Sequence, residues 1–102
     1  GFDLFNWTTG EAISAKSMYT QTAFYIMKPQ EVFYKLRKYV DAAVNYDEPR
    51  ANFDIDPALI KSKTIQLSIP EYTSPEQWRY LLRAVVYGKD NGVKVVITGI
   101  RQ

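Results

Sequence analysis

The sequence predicts an α/β fold: a mixed sheet with an antiparallel hairpin followed by parallel crossover strands, and helices packed on it. Three observations predict it. Residues 2–6 and 11–17 are short extended runs separated by a turn that ends in Gly10. Two amphipathic helical patterns, one after Lys28-Pro29 and one after Ser74-Pro75, divide the remainder. Between and after them lie two β-branched or alternating runs, residues 64–69 and 93–98. Strands separated by helices need crossover connections, and such crossovers are right-handed and leave the strands parallel.

The elements follow in order. The first strand spans roughly residues 2–6 and the second 11–17, with an extension toward Tyr19 possible on pattern. Thr20 to Thr22 reads as a threonine-rich connection. A helix begins near Lys28-Pro29, because proline is tolerated in a first turn and Glu31 suits the positive end of the helix dipole. Val32, Phe33, Leu36, Val40, Ala43 and Val44 recur at helical spacing and predict its buried stripe, with Lys35, Arg37, Lys38 and Asp41 largely on the other side. Residues 45–52, which contain Pro49, read as a loop, and Asp56-Pro57 opens one helical turn through Leu59 and Ile60. The alternating strand at 64–69 stops at Pro70.

Ser74-Pro75-Glu76-Gln77 is the strongest local signal: serine caps, proline takes the first helical position, and glutamine closes a capping box. The helix runs to about Asn91, with Trp78, Leu81, Leu82, Val85 and Val86 expected toward the core and Asn91-Gly92 ending it. The nearly continuous β-branched run at 93–98 predicts a strand covered on both faces. The whole of 1–102 reads as one domain, expected to be the C-terminal part of a longer chain.

Composition narrows the chemistry. The 102 residues contain no histidine and no cysteine, which excludes Ser-His-Asp and Cys-His nucleophilic systems, paired-histidine ribonuclease chemistry, zinc fingers and disulfide frameworks within this chain. Carboxylate, lysine, hydroxyl and metal chemistry remain. A hydrophobic share of 46% is that of a folded domain, and no apolar run approaches the ~18 residues of a spanning helix. Net charge is only +2, so distribution matters more than balance. Lys28, Lys35, Arg37, Lys38, Arg50, Lys61 and Lys63, then Arg79, Arg83, Lys89, Lys94 and Arg101, supply cations that can contact phosphates or merely solvate helix faces.

The chemistry-bearing residues lie on the hairpin. Successive strand side chains point to opposite faces, so Ala12, Ser14 and Lys16 share one. If Asn6 and Glu11 close a four-residue loop, with Gly10 left-handed, Asp3 falls opposite Ser14. If Trp7 and Glu11 close a three-residue loop, Asp3 slips to the other face. The first register is preferred, because it gives Asp3 and Lys16 one common explanation. Glu11 points away from Lys16 in either case.

Asp3 on one strand and Ser14-Ala15-Lys16 on the next, ahead of a helix and a further strand, resemble the PD-(D/E)XK nuclease superfamily. More closely, the chain resembles the C-terminal toxin domain of CdiA proteins, the contact-dependent growth inhibition effectors that cut transfer RNA. The resemblance runs through Phe2-Asp3, Gly10, Thr20, Thr22, Pro29, Val32, Leu36, Asp41, Ser68-Ile69-Pro70, Gln77-Trp78, Tyr87-Gly88-Lys89 and Gly92-Val93. It implies a core lacking the superfamily's N-terminal helix and the glutamate that helix carries.

It also implies roles. Asp3 would bind a divalent metal, Mg²⁺ or Zn²⁺. Lys16 would orient the attacking water or neutralise the transition state, and Ser14 stands where a second acidic ligand is usual. Thr20, Thr22, Lys35 and Lys38 are candidate substrate contacts, and Tyr19, Tyr25, Tyr34 and Tyr39 are candidate stacking platforms for unpaired bases. The implied activity is tRNA cleavage by metal-assisted hydrolysis. The implied setting is a secreted or cell-surface bacterial effector that acts in the target-cell cytoplasm and is neutralised by a cognate immunity protein. DNA cleavage on the same fold and a non-catalytic α/β binding module, in which Asp3 and Lys16 only pair with each other, are the alternatives.

Overall fold

The computed structural model describes residues 1–47 and 55–101. Four strands form one sheet in the order β1-β2-β3-β4: β1 (Leu4–Asn6), β2 (Glu11–Ser17), β3 (Ser62–Pro70) and β4 (Val93–Ile100). β1 and β2 are antiparallel; β2/β3 and β3/β4 are parallel. The hairpin register is Asn6↔Glu11, the preferred of the two expected pairings. Gly10 makes this loop possible: its φ is +77°, and the Lys61 side chain lies 2.8 Å from where a Cβ would stand. The Lys61 N–H also donates to the Gly10 carbonyl, tying the hairpin tip to the entry of β3.

Three helices join the strands. α1 (Ala23–Met27) is a five-residue turn that the threonine-rich reading of this connection did not anticipate. α2 (Glu31–Val44) starts just after Lys28-Pro29, with Glu31 in its first turn. α3 (Pro75–Asp90) carries the expected reciprocal capping box between Ser74 and Gln77. Before β3, Pro57–Leu59 forms a 3₁₀ turn whose cap, Asp56, accepts from the Ala58 N–H. Of the expected 45–52 loop, residues 48–52, including Pro49 and Arg50, lie outside the described residues.

Both long helices pack on one sheet face. The crossovers β2-α2-β3 and β3-α3-β4 advance in the same direction across the sheet, and equal handedness puts their helices on the same side. Val32, Leu36, Val40 and Ala43 from α2, Leu81 and Ala84 from α3, and Ile65, Leu67, Ile69, Val93 and Val95 from the sheet make the core. The opposite face carries Ala15, Gln66, Val96, Thr98 and Ile100, all exposed. The expectation that the last strand is covered on both faces is therefore corrected. β4 reads as continuously apolar because β-branched residues also suit a half-buried pleat.

The helix stripes need smaller corrections. Val44 is exposed and Phe33 only partly buried. On α3, Leu82 and Val86 point outward at 54% and 57% exposure, while Gln77, Ala84 and Gly88 are buried in their place. Trp78 packs against the core without being fully enclosed. Gly88 lets α3 approach β4, since a Cβ there would sit 2.9 Å from both the Val93 carbonyl oxygen and a Val95 methyl.

Candidate active site

β2 is the inner partner of the hairpin and holds the residues expected to do chemistry. Ala12 and Ser14 are buried and Lys16 half-buried on the helix-covered face, at Cα registers Ala12↔Lys63, Ser14↔Ile65 and Lys16↔Leu67. Beside them α2 presents Tyr39, Ala42 and Ala43, and Tyr46 follows just past its C-terminal end. With Gly1 and Phe2 these residues enclose a small cavity of about 60 Å³ lined by Ser14 and Lys16. Phe2 is fixed there by an edge-on contact with Tyr46, ring centroids 5.1 Å apart.

Asp3 reaches the site by a route that alternation alone does not describe. Its N–H donates to the Ile13 carbonyl, one residue off the Leu4↔Ile13 ladder register, so the strand departs from regular pairing there. The carboxylate Oδ2 then accepts the Ala15 N–H at 2.7 Å. That N–H belongs to the peptide joining Ser14 to Ala15, so the acid is fastened to the backbone inside the Ser-x-Lys run. It makes no ion pair with Lys16. The ion pair expected of a non-catalytic module is thus absent, and the acid is fixed instead on the strand segment between Ser14 and Lys16.

Lys16 has an aromatic neighbour instead. Its Nζ lies 5.2 Å from the Tyr39 ring centroid, and the Lys35 Nζ lies 5.3 Å from the same ring. Tyr25 of α1 stands close by; burial raises its phenol above the ordinary range while the Lys35 ammonium draws it down. Lys35 and Lys38 are exposed one turn apart on α2, so a run of cations and rings extends from the cavity along this helix.

Other expected contacts have structural duties. Thr20 is fully buried, its hydroxyl 2.7 Å from that of Thr73 and its carbonyl accepting from the Gln77 Nε2 at 2.7 Å. It is removed from the substrate-binding set, because a phosphate has no access to it. Thr22 is exposed at the start of α1 and makes no side-chain cap bond. Lys63 donates to the Ala43 carbonyl at 2.6 Å and so caps the C-terminal end of α2 rather than facing a groove. Glu11 accepts from the Thr64 hydroxyl at 2.7 Å, on the face away from Lys16 as alternation requires. Tyr46 and Phe2 are site residues that sequence reasoning missed; the apolar position before Asp3 was the available signal for Phe2.

Asp3 is the one acidic side chain bonded to the Ser14–Lys16 segment of β2 among the described residues. Asp3 offers Oδ1 while Oδ2 is held by the backbone. Among the described residues no three acidic side chains converge. A divalent ion held here would have Asp3 as its protein carboxylate and would draw its other ligands from water and substrate.

Comparison with known proteins decides the family. A family model described as the CDI toxin restriction endonuclease-like domain matches residues 1–98. The chain belongs to that family. It is 33% identical over 101 residues to a protein named deoxyribonuclease CdiA from Yersinia pseudotuberculosis serotype O:3 (strain YPIII), and 35% identical over 101 residues to deoxyribonuclease CdiA-o11 from Escherichia coli O157:H7 (strain EC869). Each alignment covers 98% of this chain but only 9% and 27% of those proteins, so the chain spans less than a third of either. Among solved structures, the CdiA-CT/CdiI toxin and immunity complex from Yersinia pseudotuberculosis matches with a TM-score of 0.87 and 33% identity, covering 98% of this chain and 82% of that one. The restriction endonuclease-like family thus accounts for the mixed sheet. No helix among the described residues is long and apolar enough to cross a membrane.

Proposed function

We propose that this domain hydrolyses phosphodiester bonds of DNA as the toxic part of a contact-dependent growth inhibition effector, delivered into neighbouring bacteria and silenced by a cognate immunity protein. The observation that carries the reading is the Asp3 carboxylate anchored on the Ala15 N–H, between Ser14 and Lys16. It holds an anionic ligand and a cation on the same short stretch of strand, as phosphoryl chemistry needs. Both named relatives are deoxyribonucleases, which favours DNA over the transfer RNA expected from sequence.

In this reading Asp3 would hold a divalent ion, Mg²⁺ or Zn²⁺, which would lower the pKa of bound water and offset charge on the phosphate. Lys16 neutralises charge that grows on the phosphoryl oxygens, and a fixed cation there acts without reorganisation cost at the moment of reaction. Ser14, buried against the cavity, donates or accepts a hydrogen bond at its floor and is not a nucleophile, since no base lies beside it. Lys35 and Lys38 hold flanking phosphates.

The test uses the intact polypeptide that contains these residues, with duplex DNA and transfer RNA as parallel substrates. DNA cleavage that needs Mg²⁺ or Zn²⁺, stops with chelator and is lost in Lys16→Ala is expected, with transfer RNA left whole. Cleavage of transfer RNA alone would reverse the substrate assignment. Cleavage of neither would return the domain to a binding module.

A further inference from the structure

Lys16 carries its charge on a flexible four-carbon stem, and among the described residues it makes neither an ion pair nor a side-chain hydrogen bond. What stands next to it is the Tyr39 ring, 5.2 Å from Nζ. A cation within about 6 Å of a ring centroid is attracted to the negative face of the π system. The ring is itself fixed: it sits mid-way along α2, packs against the core, and forms one wall of the Ser14 cavity.

We infer that Tyr39 is a positioning residue for the reaction proposed above: its ring, not its hydroxyl, holds the Lys16 ammonium at the mouth of the Ser14 cavity. An aromatic wall suits this duty better than a carboxylate. A carboxylate partner would neutralise the ammonium and compete with the phosphate for it. A ring restrains the stem and leaves the full positive charge available.

The Lys35 Nζ, 5.3 Å from the same centroid, adds a second cation to this platform. Both ammonium groups lie beside one ring, so an arriving phosphodiester finds two cations at this platform. Tyr39 therefore acts in the transition state through Lys16 and in the ground state through Lys35. The two effects separate in kinetics.

The inference rests on the nuclease reading, and its test is arranged to fail separately. In the intact polypeptide, Tyr39→Leu should lower kcat roughly 10-fold, Tyr39→Phe should stay within about threefold of the parent because it keeps the ring, and Lys35→Ala should raise KM with little change in kcat. Tyr39→Trp should also sustain kcat, and it decides the matter if the leucine variant is poorly folded. Full activity in Tyr39→Leu overturns the inference, as does a phenylalanine variant as slow as leucine, a loss confined to KM, or failure of tryptophan to sustain kcat. An activity-free readout accompanies these assays. The Lys16 ε-methylene protons should show an upfield ring-current shift that Tyr39→Phe keeps and Tyr39→Leu abolishes. If the parent cuts no DNA, the nuclease reading falls, while absence of that shift in the parent overturns the placement of Lys16 by Tyr39.

Discussion

The proposed function gives Asp3 two separable duties, and one pair of substitutions pulls them apart. Its Oδ2 accepts the Ala15 N–H at 2.7 Å, a charge-assisted bond of a kind worth about 1.5–3 kcal/mol when shielded. Asp3 is exposed, so water competes and about 1 kcal/mol is the appropriate figure. Asp3→Ala loses the bond and should lower Tm by about 4–8 °C for a domain of this size. Asp3→Asn retains an amide oxygen for the same N–H and should melt within about 2 °C of the parent. Catalysis should follow the opposite logic. Removing the charge that binds the cation forfeits about 3–4 kcal/mol of transition-state stabilisation, a fall on the order of 10²–10³-fold in both variants. Thermal melting and single-turnover DNA cleavage on the same preparations measure the two effects. An Asp3→Asn variant that cuts within a few-fold of the parent would show that the carboxylate only anchors the strand edge, and the assignment of Asp3 as a metal ligand would be wrong.

Three further outcomes are expected. Thr20→Val removes the buried Thr20–Thr73 hydroxyl contact and should destabilise the fold by about 1–2 kcal/mol in urea titration, with cleavage per folded molecule unchanged; a selective rise in KM would restore Thr20 to the substrate site. Lys35→Ala and Lys38→Ala should each reduce the slope of log affinity against log salt by roughly 1 for duplex DNA, measured by fluorescence anisotropy under non-cleaving conditions, and an unchanged slope would remove that lysine from the phosphate contacts.

The third outcome concerns pH. The Tyr87 hydroxyl donates to Asp41 at 2.5 Å, and this bond holds the phenol above its ordinary pKa near 10. The folded chain binds that proton more tightly than the unfolded chain. The contribution is thus complete below about pH 10 and is lost as pH rises through the raised value. Parent and Tyr87→Phe should differ in denaturation midpoint at pH 8 and converge only as pH passes the raised value, and a gap that stays constant would assign the difference to packing.

Local signals in the sequence carried most of the architecture. Ser74-Pro75-Glu76-Gln77 specifies its helix start because each residue meets a separate unpaired backbone group or dihedral preference, and such chemistry depends on no distant partner. Gly10 located the hairpin turn in the same way, but local signals left two registers open, and the observed Asn6↔Glu11 pairing is the one preferred for giving Asp3 and Lys16 a common explanation. Outward-facing Leu82 and Val86 were misplaced because periodicity gives a stripe but not its centre. Here Gly88 draws the helix against β4 on a face of small residues, and that approach is a tertiary fact.

Within the site, the alternation of Ser14 and Lys16 was legible, whereas the offset bond from Asp3 to Ile13 was not, since it is an irregularity in a ladder. Tyr39 was visible only as one of four candidate stacking tyrosines. Its nearness to Lys16 joins residues 23 positions apart, and no local pattern encodes that. Thr20 shows the converse: a hydroxyl that looks available in a polar run is enclosed once α3 arrives with Gln77.

The sheet order has a temporal corollary. β2 gains its second neighbour only where Ser14 aligns with Ile65 and Lys16 with Leu67, pairings about fifty residues apart in the chain. Contacts so distant are made late, after a long loop has been closed. A polypeptide synthesised only as far as residue 60 has therefore made Asp3, Ser14, Lys16 and Tyr39 without the strand against which they are arrayed, and the arrangement is complete only once β3 has joined β2.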